Sequence, residues 1–251
     1  MIHAVLMSAL IVLFGLPPTA TTPDNDDGVA RARMVQLHIA ARGIRDPLVL
    51  GAMGRVKRHA FVPAPLRHLA YADRPLPIGH DQTISQPYIV ALMTALARAK
   101  PGAKVLDVGT GSGYQAAVLA EIVGHVYGIE IVCPLAESAR ERLAALGYRN
   151  VTIRCGDGYR GWPEHAPFDL IILAAAPEKV PQPLLDQLTP GGRLVLPVGD
   201  RRQRLVVYER GANGEITRTD HGGVRFVPMT GEVRNRALSA PPQSAAPTPE
   251  K

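Results

Sequence analysis

Val105-Leu106-Asp107-Val108-Gly109-Thr110-Gly111-Ser112-Gly113-Tyr114 is the stretch on which the fold turns. A short apolar run ends in three glycines at alternate positions, and a helical pattern opens directly behind them. Buried strands of parallel sheets read as apolar runs, and glycines let a ligand approach the main chain closely. The spacing predicts a strand over Lys104–Val108 and a helix over Gly113–Val123. Downstream the alternation continues, with strands expected at His125–Glu130, Val151–Arg154, Phe168–Leu173 and Gly192–Pro197, and helices at Pro134–Leu146 and Pro183–Leu188. Strands separated by helices of this length imply a parallel, doubly wound α/β sheet of the Rossmann-like kind. Arg204–Glu209 and Gly223–Val227 read as late strands around a turn at Gly211-Ala212-Asn213-Gly214, an antiparallel addition.

Upstream, helical patterns cover Val29–Ala41 and Pro47–Arg58, the second with Asp46 as N-cap and Pro47 at the first helical position. Residues 61–86 carry several prolines and read as an ordered, irregular arm, after which Gln86 and Pro87 open a helix to about Arg98. A single folded unit is expected over 29–237, with 29–100 as helices and arm and 101–237 as the sheet. Residues 21–28 read as a linker and 238–251 as a disordered Pro/Ala/Ser-rich tail.

A glycine loop alone is weak, since dinucleotide enzymes use a similar one. Glu130 lies 17 residues after Gly113, at the end of the second strand, where a carboxylate accepts hydrogen bonds from ribose hydroxyls. The GxGxG spacing, Asp107 two residues before the first glycine, and the late hairpin favour S-adenosyl-L-methionine as ligand. Asp107 would receive the ligand's ammonium; the plainer reading is a loop-capping carboxylate, and for Glu130 a surface acid. Gly109, Thr110, Gly111 and Gly113 would shape the methionine end. Asp157 and Gly158, in a second loop (Gly156-Asp157-Gly158), border the same crevice, Asp157 toward the adenine amino group or as an ordinary turn aspartate.

Three separated segments resemble the protein-L-isoaspartate (D-aspartate) O-methyltransferase family: Pro77–Pro87 (PIGHDQTISQP), Asp107–Gly113, and Gly156-Asp157-Gly158-Tyr159-Arg160-Gly161-Trp162 continuing through Ala166-Pro167-Phe168-Asp169-Leu170-Ile171. The likeness runs from about Met34 to Gly231, including Val224–Met229. It implies methyl transfer to the free carboxyl of L-isoaspartyl, and by the family's name D-aspartyl, residues in damaged proteins, with repair through a succinimide. It gives Ser85 the catalytic role and places Thr83 and Ile84 on the substrate side. Without the family, Ser85 before Gln86-Pro87 reads as a helix N-cap. Asp81 stands where the family usually has a small residue, and Ala174 where many relatives have threonine.

The 251 residues suit one such domain with short additions, and 46% apolar content suffices for a core. A net charge of +6 and pI of 9.6 favour acidic partners without choosing among them. Basic residues thicken between Arg31 and Arg74, where solvated helix faces explain them, while Arg225 could attract acidic peptides. Segments that interleave aromatic and basic residues are missing, so no nucleic-acid partner is expected. A methyltransferase of small molecules or nucleic acid is the first rival reading, a non-catalytic binding protein the second. No metal-ligand pattern occurs, and Cys133 and Cys155 read as two free, partly buried thiols, a single disulfide being allowed by their number. Ala4–Leu16 is apolar but short for a bilayer span and resembles the core of a signal peptide over residues 1–20. Periplasmic or secreted location is expected if that leader works, cytoplasmic location otherwise; Met34 is an alternative start. A monomer without stable membrane association is expected.

Overall fold

The computed structural model describes residues 23–234; the stretch expected to be a leader and the Pro/Ala/Ser-rich tail lie outside them. Nine strands and six α-helices are named here in chain order. A two-stranded hairpin, β1 (Leu76–Gly79) and β2 (Gln82–Ile84), precedes a seven-stranded sheet. The sheet comprises β3 (Lys104–Val108), β4 (His125–Glu130), β5 (Val151–Cys155), β6 (Phe168–Leu173), β7 (Leu188–Val198), β8 (Gln203–Arg210) and β9 (Ile216–Val224), in the order β5-β4-β3-β6-β7-β8-β9. The first five strands pair in parallel, and β8 and β9 add antiparallel. The chain moves outward from β3 first to β4 and β5, then crosses to β6. That reversal opens a crevice at the carboxyl ends of the strands, the usual ligand site of such sheets.

Alternation along the strands explains why both faces are covered. Val105, Leu170, Ile172 and Val195 face one apolar layer, completed by the N-terminal helices. Leu106, Ile171, Leu173 and Leu194 face the other, completed by Trp162, Leu184 and Leu185. Side chains of successive strand residues point to opposite faces, so an apolar run buried on both sides is what this sequence can satisfy. The helices are α1 (Pro23–Arg33), α2 (Pro47–Arg55), α3 (Pro87–Leu96), α4 (Tyr114–Ala120), α5 (Cys133–Ala145) and α6 (Gln182–Asp186).

Several expectations change; β7, for one, starts at Leu188 and not Gly192, and α4 ends at Ala120 and not Val123. Residues 23–28 are not a linker: they are the first turns of α1, which runs on through a π-helical stretch, Met34–Ile39, and a short 3-10 turn. Asp46 does cap α2, accepting from Leu48 N at 2.9 Å and Val49 N at 3.4 Å, but the helix stops at Arg55. The last strand is Ile216–Val224 instead of Gly223–Val227. As an edge strand with almost wholly exposed polar side chains it shows no apolar alternation, and its pairing is a main-chain matter. Finally, Cys133 and Cys155 are not free: they form a disulfide with Cα atoms 4.9 Å apart. Register explains the meeting. Cys155 pairs with Glu130 across β4–β5, and the chain returns from Glu130 into α5 within three residues.

A disulfide closing a 22-residue separation removes loop entropy from the unfolded chain. Replacing both cysteines by serine is expected to lower unfolding free energy by about 3 kcal/mol. Urea denaturation of the oxidised protein against the double variant reads this; equal midpoints would show that the bridge contributes nothing.

Candidate active site

One cavity lies over the carboxyl ends of β3, β4 and β6. Its lining includes Val108–Ser112 from the glycine loop, Glu130 and Ile131 after β4, Gly158 after β5, Ala174 and Ala175 after β6, and Gln82–Ser85 from the arm. Sites drawn from three separated sequence segments thus meet in one place.

Glu130 is buried, and both carboxylate oxygens are committed. Gly111 N–H donates to Oε2 at 2.8 Å and Val132 N–H to Oε1 at 2.9 Å. Each oxygen keeps a further lone pair for a ligand hydroxyl. The glycines divide the work. Gly111, at φ +54°, lies under Ile78, whose Cδ1 would be 3.3 Å from an added Cβ. Gly113, at φ +90°, does not line the cavity. An added Cβ there would press on Leu143 and Ala139 of α5, so this glycine serves close helix packing and not the methionine end.

Asp107 lies beneath this floor, fully buried, with neither carboxylate oxygen hydrogen-bonded. Thr110 Oγ1 donates instead to the Asp107 main-chain carbonyl at 3.2 Å. Burial pushes the carboxyl up to about 7, and the negative charge of Glu130 adds to the rise. An orphaned buried acid is expensive, and a ligand ammonium is the group that would repay it. The residues therefore fit a nucleoside ligand carrying a cationic amino acid end.

Asp157 departs from the expectation. Its Oδ1 accepts from Tyr159 N at 2.9 Å and its Oδ2 from Glu232 N at 2.6 Å, and it is absent from the cavity lining. It fastens the Gly231–Glu232 turn, where Gly231 at φ +89° leaves no room for a Cβ against that carboxylate. Gly158 does line the cavity, packed so tightly on Val108 that a side chain there would collide with it. Asp81, the unusual acid of the arm, sits exposed at φ +56° in the β1–β2 turn and lines neither cavity nor groove. The backbone there explains why a small residue is common at this position.

Ser85 and Thr83 line both the cavity and an adjoining groove, which also takes in Arg42, Gln86, Arg201, Arg225 and Pro228. Ile84 is buried beneath them and lines the cavity. Ser85 is not the cap of α3. That helix begins after Gln86 without a side-chain cap of its own, and Asp73 Oδ1 accepts from Tyr88 N at 3.1 Å in its place. The Ser85 hydroxyl has no hydrogen-bond partner among the described residues. The segment Val227–Thr230 also reaches the cavity; the resemblance took in Val224–Met229 but gave it no role in the site. It arrives because Ala176 N donates to Val227 O and Met229 N to Ala176 O, both at 2.8 Å. Among the described residues no cluster of His, Cys, Asp or Glu could hold a metal ion.

Sheet, switch-point cavity and paired acids define an S-adenosylmethionine-dependent methyltransferase. A sequence model of the family "Protein-L-isoaspartate(D-aspartate) O-methyltransferase (PCMT)" matches residues 30–234, and the chain belongs to that family. It is 57% identical to a protein-L-isoaspartate O-methyltransferase of Gloeobacter violaceus over 79% of this chain and 98% of that one. Against one from Picosynechococcus it is 53% identical over 86% and 97%. Among solved structures, a protein-L-isoaspartate O-methyltransferase superposes with TM-score 0.75 at 30% identity, covering 83% of this chain and 70% of that one. A putative Plasmodium falciparum relative, solved in complex with S-adenosyl-L-homocysteine, gives TM-score 0.70 at 28% identity over 80% and 98%.

The Asp107 carboxyl gives a pH signature. Its folded value lies above the ordinary 3.8, so ionisation costs the ligand-free fold stability: nothing below about pH 4, the full amount above about pH 7. Asp107→Asn is therefore expected to raise the melting temperature of the free protein at about pH 8, the difference fading toward about pH 4. The same variant should bind S-adenosyl-L-homocysteine more weakly, and wild-type affinity should fall as pH drops below about 7. Calorimetry across pH reads both; unchanged affinity in the variant would take Asp107 out of ligand binding.

Proposed function

We propose that the chain methylates the free carboxyl of L-isoaspartyl residues in damaged proteins, with S-adenosyl-L-methionine as methyl donor, and so starts their repair. The observation that carries the assignment of residues is Ser85: an uncommitted hydroxyl at the mouth shared by the cofactor cavity and the groove.

When bound, S-adenosyl-L-methionine supplies a methyl group made electrophilic by a positively charged sulfur. The acceptor carboxylate is already ionised at neutral pH, so no side chain need remove a proton. Its oxygen forms the bond to the methyl carbon as the sulfur–carbon bond breaks, leaving an ester and a neutral thioether. Opposite charges cancel in this step, which favours a site that fixes the partners and excludes water. Ser85 donates a hydrogen bond that orients the acceptor carboxyl or its neighbouring backbone. Thr83 and Ile84 hold the arm over the cavity. Glu130 would hold the ribose, Asp107 the ammonium, and the Gly109–Gly111 loop would shape the methionine end. Asp157 supports this site by anchoring the 231–232 turn. The ester then closes to a succinimide without help, since methylation improves the leaving group, and hydrolysis returns part of the chain to the normal linkage.

The Cys133–Cys155 bridge supports a second reading, that the apolar Ala4–Leu16 stretch exports the chain to an oxidising space such as the periplasm. No helix among the described residues is long and apolar enough to cross a membrane.

An isoaspartyl peptide and its normal aspartyl twin test the activity: methyl transfer to the first alone is expected, and equal transfer would defeat the reading. Ser85→Ala should lower kcat on that peptide about tenfold or more, the loss of a hydrogen bond to a charged group, while affinity for S-adenosyl-L-homocysteine stays within about twofold. Full turnover would remove Ser85 from the mechanism. For export, the amino terminus of the cell-purified protein should begin after residue 20; an intact Met1 would reject it.

A further inference from the structure

The groove beside Ser85 has a basic wall that the transfer step does not use. Arg201, in the turn between β7 and β8, and Arg225, just after β9, both line it and both stand outside the cofactor cavity. A second hollow continues the wall past the groove, sharing Arg201 and Arg225 and adding Arg202 and Arg204. Arg204 is spoken for by Asp220, at 2.8 Å, and Arg42 on the opposite side by Asp73, also at 2.8 Å. Arg201, Arg202 and Arg225 have no ion-pair partner among the described residues and are exposed. The one carboxylate that lines the groove is Asp200.

The wall is fixed in place. Gln203 joins its two segments with a pair of hydrogen bonds, accepting from Phe226 N at 2.6 Å and donating to Phe226 O at 3.1 Å. From Arg225 the main chain continues directly to Val227 and Pro228, which line groove and cavity alike. An extended peptide with its isoaspartyl carboxyl at Ser85 therefore runs along a wall with three unpaired guanidiniums against one carboxylate. Fixed donors of this kind suit carboxylates, and arginine binds them through two parallel hydrogen bonds.

We infer that Arg201 and Arg225 make this enzyme select isoaspartyl sites flanked by acidic residues. The inference rests on the assignment of the Ser85 cavity as the methyl-transfer site. A peptide is favoured over a nucleic acid because the groove opens onto the acceptor position at Ser85, next to the cofactor cavity.

The test uses three isoaspartyl peptides that differ in flanking residues, glutamate, glutamine or lysine. Binding is read by fluorescence anisotropy and turnover as kcat/KM. In the wild-type protein at low salt the glutamate peptide should exceed the lysine peptide about fivefold or more, and the gap should shrink at high salt as screening shortens the field. In Arg201→Glu/Arg225→Glu the order should reverse. Taking the ratio within each variant cancels any general loss of activity. Arg149→Glu, an exposed site outside the groove, changes net charge in the same sense and should keep the wild-type ratio. A ratio near one in the wild type, an unchanged ratio in the double variant, or an equal fall in Arg149→Glu overturns the inference. So does displacement of all three peptides by single-stranded DNA without any charge order among them. Charge-ordered binding without methyl transfer would sink the transfer assignment and leave the selection standing; transfer without charge order does the opposite.

Discussion

Two main-chain N–H groups pointing at one buried carboxylate hold this site together. Glu130 takes Gly111 N–H on one oxygen and Val132 N–H on the other. The loop after β3 and the loop after β4 are thereby locked to each other before any ligand arrives. Charge-assisted bonds of this kind are stronger than neutral ones, and losing the acceptor would strand two donors in a buried place. The surroundings respect the lock. Gly109 N and Thr110 N both donate to Ile129 O, at 2.8 and 3.2 Å, so the same two loops are also stitched by their backbones. Gly128, two residues earlier, has no side chain because Thr110 Oγ1 would lie 2.6 Å from its Cβ. The Cys133–Cys155 bridge then closes the far side of the β4 loop onto β5.

Asp107 is the cost of such a rigid, dry floor. A carboxyl with no partner, raised to about 7 by burial, works against the fold whenever it ionises. Buried strain of this sort tends to collect where ligands bind, since the ligand supplies the missing partner. Glu130 and Asp107 therefore play unequal parts. One is satisfied in advance and positions the loop; the other is left without a hydrogen-bond partner. The negative charge of Glu130 adds to the rise that burial imposes on Asp107.

The parallel core could be read from the sequence because its strands are apolar on both faces and its turns are glycines. Lys104–Val108, His125–Glu130 and Phe168–Leu173 appear with the bounds the pattern predicts. What escaped was structure made by partners distant in sequence. The disulfide needs the β4–β5 register, which pairs Glu130 with Cys155. The edge strand β9 has no buried face to leave an apolar trace. Asp157 carried a ligand-like position in its loop, yet the backbone of Glu232, 75 residues away, claims it. Gly113 belonged to a binding motif by spacing, but its missing Cβ makes room for Leu143. Local pattern thus located the loop that lines the cavity and not the division of labour within it.

The arm shows how one long-range contact can release a serine hydroxyl. A serine just before Gln-Pro is a natural helix cap, and a capping hydroxyl is occupied. Here Asp73 takes over, binding Tyr88 N through Oδ1 and Gln86 Nε2 through Oδ2 at 2.7 Å. Arg42 completes the cluster with an ion pair to Asp73, its guanidinium 3.4 Å from the Tyr88 ring centroid. The end of α3 is satisfied from outside, so Ser85 can turn its hydroxyl to the junction of cavity and groove without leaving a buried donor unmet. Residues remote in sequence thereby decide that the Ser85 hydroxyl is left uncommitted at that junction.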